Sequence, residues 1–154
     1  MKWEIPPINK VFEALGCIAD NRIKIDGNGA QVWSSNKSKA YTVKYDKDKN
    51  AIISNDNGSY WQEYLGYPSV AFLMLNGVIK YDEDIADALK SIEWKKLNTQ
   101  FKNNYEKTNA FALGQAKKNG YNVEDLKKEI ENIYKQIKSL DINILEPKIK
   151  PPKE

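Results

Sequence analysis

Between Ser54 and Leu75 the chain sets Asn55, Asp56 and Asn57 ahead of four aromatic residues, Tyr60, Trp61, Tyr64 and Tyr67, and these ahead of its most apolar run, Val70 to Leu75. Residues of these types at this spacing can recognise a ligand. The amides and the carboxylate offer donors and acceptors side by side, while tyrosine and tryptophan present an apolar face with a polar tip. The same cluster also suits a structural junction at which a sheet hands over to a helical layer. A third use is acid–base chemistry on a small substrate, with Asp56 and Glu63 beside Tyr60 or Tyr64.

Absent residue types narrow the chemistry further. The 154-residue chain has no histidine and one cysteine, Cys17. Imidazole triads, histidine metal centres and histidine switches near neutral pH therefore lose their usual residue. A lone thiol inside an apolar helix stripe reads as buried and inert, and it allows no internal disulfide. Asp46-Lys47-Asp48-Lys49-Asn50 opens like a calcium loop, but Ala51 stands where the motif needs glycine and Asn57 where it needs a bidentate glutamate. A hairpin turn is expected there. Asp26-Gly27-Asn28-Gly29 is likewise tight-turn sequence, and Tyr81-Asp82-Glu83-Asp84 reads as the capped start of a helix. The sequence thus predicts no metal, no cofactor and no enzyme.

Charge is uneven along the chain. Residues 95–122 carry six lysines against one glutamate, whereas the whole sequence has a formal net charge of +3. Lys95, Lys96 and Lys102, with asparagines and Tyr105 interleaved, can lie along a phosphate backbone. The plainer reading is a solvated helical face. A single arginine, Arg22, leaves little to read bases with.

These residues need a scaffold, and the hydrophobic pattern supplies one. Val11, Phe12, Leu15 and Ile18 predict a helix over Asn9 to Ala19. Arg22 to Asp26, Ala30 to Ser35, Lys39 to Asp46 and Ala51 to Ser54 read as three or four short strands, joined closely enough for an antiparallel meander. From Ser59 the signals turn helical. Pro68 suits the first turn of a helix ending near Leu75, Asp82 and Asp84 can cap the next, a break falls near Ser91, and another helix spans Glu106 to Lys118. The last helix, after Asn122, carries a seam of Val123, Leu126, Ile130, Ile133, Ile137 and Leu140. That seam either docks on the domain or pairs with a partner protein or second copy.

The expected fold is α+β: an N-terminal helix, a small antiparallel sheet of three or four strands and a C-terminal helical layer. One domain over 1–144 is expected, with helix and sheet in 1–58 and the helical part in 59–144. Leu145 to Glu154, rich in proline and lysine, reads as an extended or disordered tail. No apolar run approaches the roughly 20 residues that span a bilayer, and the N-terminus lacks a secretory apolar segment, so a cytoplasmic protein without membrane partners is expected.

Strands ending in Tyr41-Thr42-Val43-Lys44-Tyr45, then a short strand, a loop and Gly66-Tyr67-Pro68-Ser69-Val70-Ala71-Phe72-Leu73-Met74-Leu75, make the stretch from Ala30 to Leu75 resemble the SWIM-type zinc finger. That family holds zinc with a Cys-x-Cys on a hairpin and a Cys-x-His opening a helix. Here the corresponding positions, near Ile53 to Asn55 and Gly66 to Ser69, have neither residue type. The resemblance implies a metal-free module, packed instead by Trp61, Tyr64 and Tyr67, that binds DNA or protein. Together these readings favour a binding module for nucleic acid or a nucleic-acid-associated assembly. Its contacts would come from Asn55 to Tyr67 and the lysines from Lys95 onward.

Overall fold

Apolar residues at helical spacing wind Asn9–Ala19 into the first helix (α1), which buries Val11, Phe12, Leu15 and Cys17 on the core side. In the computed structural model, which describes residues 1–153, the strands β1 (Ile23–Asp26), β2 (Gly29–Trp33), β3 (Ala40–Asp46) and β4 (Ala51–Ser54) follow. Each pairs antiparallel with the next, as their short, turn-rich connections dictate. The α+β architecture, with its N-terminal helix and C-terminal helical layer, is the one the pattern predicted. A fifth strand, β5 (Asn143–Ile144), was not predicted. It lies parallel beside β4, and two residues are too few to show a period.

After β4 the backbone makes one π-helical turn over Gly58–Gln62 and enters α2 (Tyr67–Leu75), with Pro68 in its first turn. Seven consecutive residues of α2, Pro68 to Met74, are buried. The helix is apolar all round because it is covered all round, by α1 on one side and the sheet on the other. Alternation along β3 turns Val43, Tyr41 and Tyr45 toward it. Tyr45 meets Phe72 edge-on at 5.6 Å between ring centres, and Tyr41 meets Tyr67 at 6.3 Å.

The remaining helices close the other flank. Asp82 caps α3 (Glu83–Ala86) by accepting from the Asp84 and Ile85 N–H groups, and a 3-10 turn over Asp87–Leu89 follows. Ser91, at φ 64°, breaks the path before α4 (Trp94–Gln100). Asn104 and Asn122 cap α5 (Tyr105–Lys118) and α6 (Val123–Ser139). Leu126, Ile130, Ile133 and Ile137 of α6 are buried within the chain itself. Of the two uses open to the seam, docking on the domain is the one observed. Tyr134 donates to the Pro6 carbonyl at 2.8 Å, and Gln136 exchanges two 2.7 Å hydrogen bonds with the Lys80 backbone.

The two ends of the chain meet. Lys2 bridges antiparallel to Asn143, the Ile144 N–H donates to the Met1 carbonyl and the Trp3 N–H to Ile142. Residues 145–153 run without helix past β4 and the π turn, where Lys148 Nζ donates to the Tyr60 carbonyl and to Glu63 Oε2. Glu154 of the expected tail lies outside the described residues.

One carboxylate joins these layers. Asp56 Oδ1 accepts from Ser54 Oγ at 2.8 Å and Ser59 Oγ at 2.7 Å, and Oδ2 accepts from the Ser59 N–H at 3.2 Å. Ser59 Oγ in turn accepts from the Gly66 N–H, the residue that opens α2. The end of β4, the π turn and the N-terminus of α2 thus share one buried anion, at the helix end where negative charge is favoured. Only glycine fits at 66, since a Cβ there would stand 2.0 Å from Asp56 Oδ2.

Two outcomes follow for stability. Asp56→Ala leaves two hydroxyls and an amide without their acceptor and should cost about 2–4 kcal/mol in urea unfolding, more than Asp56→Asn. A cost below about 1 kcal/mol would refute the clasp. Burial pushes the Cys17 thiol from 9.0 up to about 12, with Arg22 opposing only in part. The folded state then holds the proton more tightly than the unfolded one. The thiol's contribution is intact below pH 9 and is lost as pH rises from there toward 12. Between pH 8 and 10 the wild type should lose about 1–1.5 kcal/mol that Cys17→Ala does not lose, measured as the difference in their unfolding pH slopes.

Candidate functional site

Residues from five separate segments converge on one space. Here α1, the first residue before β1, the β2–β3 turn, the loop after β4 and α4 enclose a cleft of about 410 Å³. Lys10 and Glu13 come from α1, Arg22 from the α1–β1 link, and Lys39 and Tyr41 from the second hairpin. Asp56, Asn57 and Tyr67 come from the junction into α2, and Trp94, Lys95 and Asn98 from α4. The charged side chains among them are four cations, Lys10, Arg22, Lys39 and Lys95, against two carboxylates, Glu13 and Asp56. Asp20, paired with Arg22 at 3.6 Å, adds a third carboxylate beside them.

Both lining carboxylates are already engaged. Lys10 Nζ donates to Glu13 Oε2 at 2.8 Å and Asn98 Nδ2 to Oε1 at 2.9 Å. Burial alone would lower the Lys10 pKa, but Glu13 overrides it and holds the ammonium above the usual lysine value. Asp56 is held by the two serines.

Arg22 is in the opposite condition. It is only 2% exposed; Nη1 donates to the Trp33 carbonyl at 2.7 Å, which also accepts from Tyr67 Oη at 3.4 Å. Nε has no hydrogen-bond acceptor, only the Asp20 carboxylate at 3.6 Å, and Nη2 has none. Asp20 is itself shared, accepting from the Ser91 N–H. The Tyr67 ring lies 5.9 Å from the guanidinium carbon, and burial holds the Tyr67 hydroxyl well above the ordinary tyrosine range. Trp94 Nε1 and Asn98 Oδ1 are also buried without partners. The indole reaches this depth because residue 16 is glycine: a Cβ would stand 2.5 Å from Nε1.

Of the ten residues singled out from the sequence, Asp56, Asn57, Tyr67 and Lys95 line this cleft. The others do not. Asn55 Oδ1 accepts from the Thr42 N–H at 2.8 Å and extends the β3–β4 ladder. Tyr64 packs over Gly58, and burial raises its hydroxyl. Tyr60 and Trp61 form an edge-on pair at 4.6 Å, with Tyr60 under Lys148 and Trp61 67% exposed. Lys96 and Lys102 are exposed, Lys96 with Glu93 at 3.7 Å. The proposed acid–base set is dispersed, because Glu63 pairs with Lys148 at 2.8 Å rather than facing Asp56 in the cleft.

Sequence reasoning missed Lys10, Glu13, Arg22, Tyr41, Trp94 and Asn98. Two signals were present. Arg22 is the only arginine of the chain, and Glu13 falls within a helix stripe where every neighbour from Val11 to Cys17 is buried. A carboxylate on a buried face needs partners, and that requirement points to Lys10 three residues before it.

Comparison with known proteins corrects one expectation. No curated protein and no solved structure matches the chain. Residues 3–143 match the family described as Uncharacterised conserved protein UCP014422, and not a SWIM-type zinc finger. The residues behind that resemblance serve packing: Ile53 and Ser54 are buried in β4, Asn55 completes a ladder, and Ser69 is buried in α2. With the match running from Trp3 to Asn143 in β5, the chain belongs to the UCP014422 family.

Proposed function

We propose that the protein is a non-enzymatic binding module and that its ligand presents an oxyanion to the cleft between α1 and α4. The observation that carries this reading is Arg22, a buried guanidinium with Nη2 unpartnered and Nε facing only a shared carboxylate at 3.6 Å. A desolvated guanidinium is costly unless its donors are met, and carboxylate or phosphate oxygens match its fork. Lys10 and Lys95 also border the cleft and favour an anion over a cation there. Binding is favoured over catalysis because Glu13 and Asp56, the two carboxylates at hand, are both committed to hydrogen bonds with neighbouring side chains.

Isothermal titration of the full chain with inorganic phosphate and with acetate at low salt tests this. Binding of at least one is expected, and Arg22→Met should weaken it about tenfold or more, as loss of a charge-assisted hydrogen bond does. Absence of binding by both anions, or unchanged affinity in a folded Arg22→Met, would overturn the reading.

A second reading extends the first. Lys95 stands at the cleft, and Lys96 and Lys102, on α4 and just beyond it, are exposed to solvent. A nucleic-acid strand could place one phosphate in the cleft and its neighbours on these lysines. Fluorescence anisotropy with single-stranded oligonucleotides across a salt series should then show affinity falling steeply with salt. The double variant Lys96→Glu, Lys102→Glu should flatten that slope. Equal binding by variant and wild type would remove this reading while leaving the first intact.

A further inference from the structure

We infer that the open edge of the sheet, β1, pairs antiparallel with β1 of a second copy of this chain about a two-fold axis at Ile25, giving a weak, reversible dimer. This surface is separate from the cleft and does not rest on the oxyanion reading.

Along an antiparallel strand the N–H and C=O groups of successive residues point to opposite sides. The Trp33 N–H donates to the Arg22 carbonyl at 2.8 Å, which fixes the alternation in β1. Lys24 and Asp26, opposite Gln31 and Gly29, turn their backbone groups to β2, so Ile23 and Ile25 turn theirs outward. Since β1 stands first in the strand order, no other strand among the described residues meets them. About a two-fold axis at Ile25, the N–H and C=O of that residue meet the C=O and N–H of its counterpart. Such a contact closes after two chains.

Charge makes the edge complementary to itself. Lys24 and Asp26 are exposed on the face of the sheet away from α2, and neither forms an ion pair among the described residues. With the axis at Ile25, each Lys24 stands directly opposite Asp26 of the second copy, and two unlike pairs form. Moving the axis to Lys24 or to Asp26 sets like charges face to face. A lysine by itself guards an edge against pairing, whereas lysine and aspartate two residues apart on an antiparallel edge admit one register.

The other face adds apolar surface. Ile25 shares the helix-side face with its neighbours Ala30 and Val32, which are buried, yet is itself 48% exposed. Tyr41 meets Tyr67 and Tyr45 meets Phe72, so α2 runs in the direction of β3 and ends where β1 ends. Leu75, the last residue of α2, and Val78 just beyond it are exposed as well. Pairing at Ile25 brings two such apolar ends together and takes part of their surface from water.

The test is sedimentation velocity of the full chain at low salt over a concentration series. Between about 10 μM and 1 mM the wild type should pass reversibly from the mass of one chain toward that of two, the range of a small transient interface. Lys24→Asp and Asp26→Lys should each weaken the dimer about tenfold or more, because both ion pairs become repulsive. Mixed in equal amounts, these two variants should associate as the wild type does, since unlike charges face each other again in the mixed dimer. Ile25→Pro removes the outward N–H while leaving the bonds to β2 in place, and should also weaken association about tenfold. Circular dichroism checks the fold of each variant, and should Ile25→Pro not fold, the charge variants decide alone. A chain that stays monomeric throughout the series leaves this edge to solvent or to an extended peptide and overturns the proposal. A dimer that the charge variants leave unchanged overturns it too, and failure of the mixture to recover association overturns the register at Ile25.

Discussion

A buried carboxylate is tolerable only where its oxygens are met, and Asp56 meets that condition by drawing three segments together. Ser54 ends β4, Ser59 lies in the π turn, and through Ser59 the hold extends to the amide of Gly66 at the head of α2. Because α2 is the layer on which both the sheet and α1 pack, the position of its first residue sets the register of everything around it. The same clasp forms one wall of the cleft, since Asp56, Asn57, Gly58 and Tyr67 all face it. The Asn55–Tyr67 stretch thus does two structural things at once: the segment that closes the layers also shapes the cavity.

Across that cavity the polar groups divide into satisfied and unsatisfied sets. Glu13, Lys10 and the Asn98 amide nitrogen form a closed chain of charge-assisted bonds inside an otherwise apolar helix face. Arg22 and the Asn98 carbonyl oxygen stand at the open ends of the network. Buried groups left open are uncommon in folded proteins; here they occur on Arg22, Trp94 and Asn98 around the cleft, and on Asn9, Ser69 and Asn109 away from it. The buried Arg22 distinguishes the cleft from the hollow between α4 and α5, to which Phe111 and Lys96 contribute.

Much of the scaffold could be read from the chain because local rules and tertiary demands agree there. The caps at Asp82 and Asn122, the break at Ser91, the seam of α6 and the alternation in β3 each have a short-range physical cause. The cleft was legible only in part. Asp56, Asn57, Tyr67 and Lys95 drew notice by type, yet what makes the site is the meeting of α1 with α4, residues more than eighty positions apart. No period encodes such a contact. Trp61 shows the converse: its type suggested a functional surface, but it stands at the π turn, outside the cleft.

The pairing of the first residues with the last strand has a mechanical consequence. Lys2 lies opposite Asn143 in antiparallel sense, and Met1 accepts from Ile144, so both ends leave this contact from the same side. Tension applied between the ends would first strip the Lys148 and Leu145 contacts and then load these bonds one after another, as a zip opens. Under stretching, therefore, the sheet is at its weakest where the chain is sewn shut.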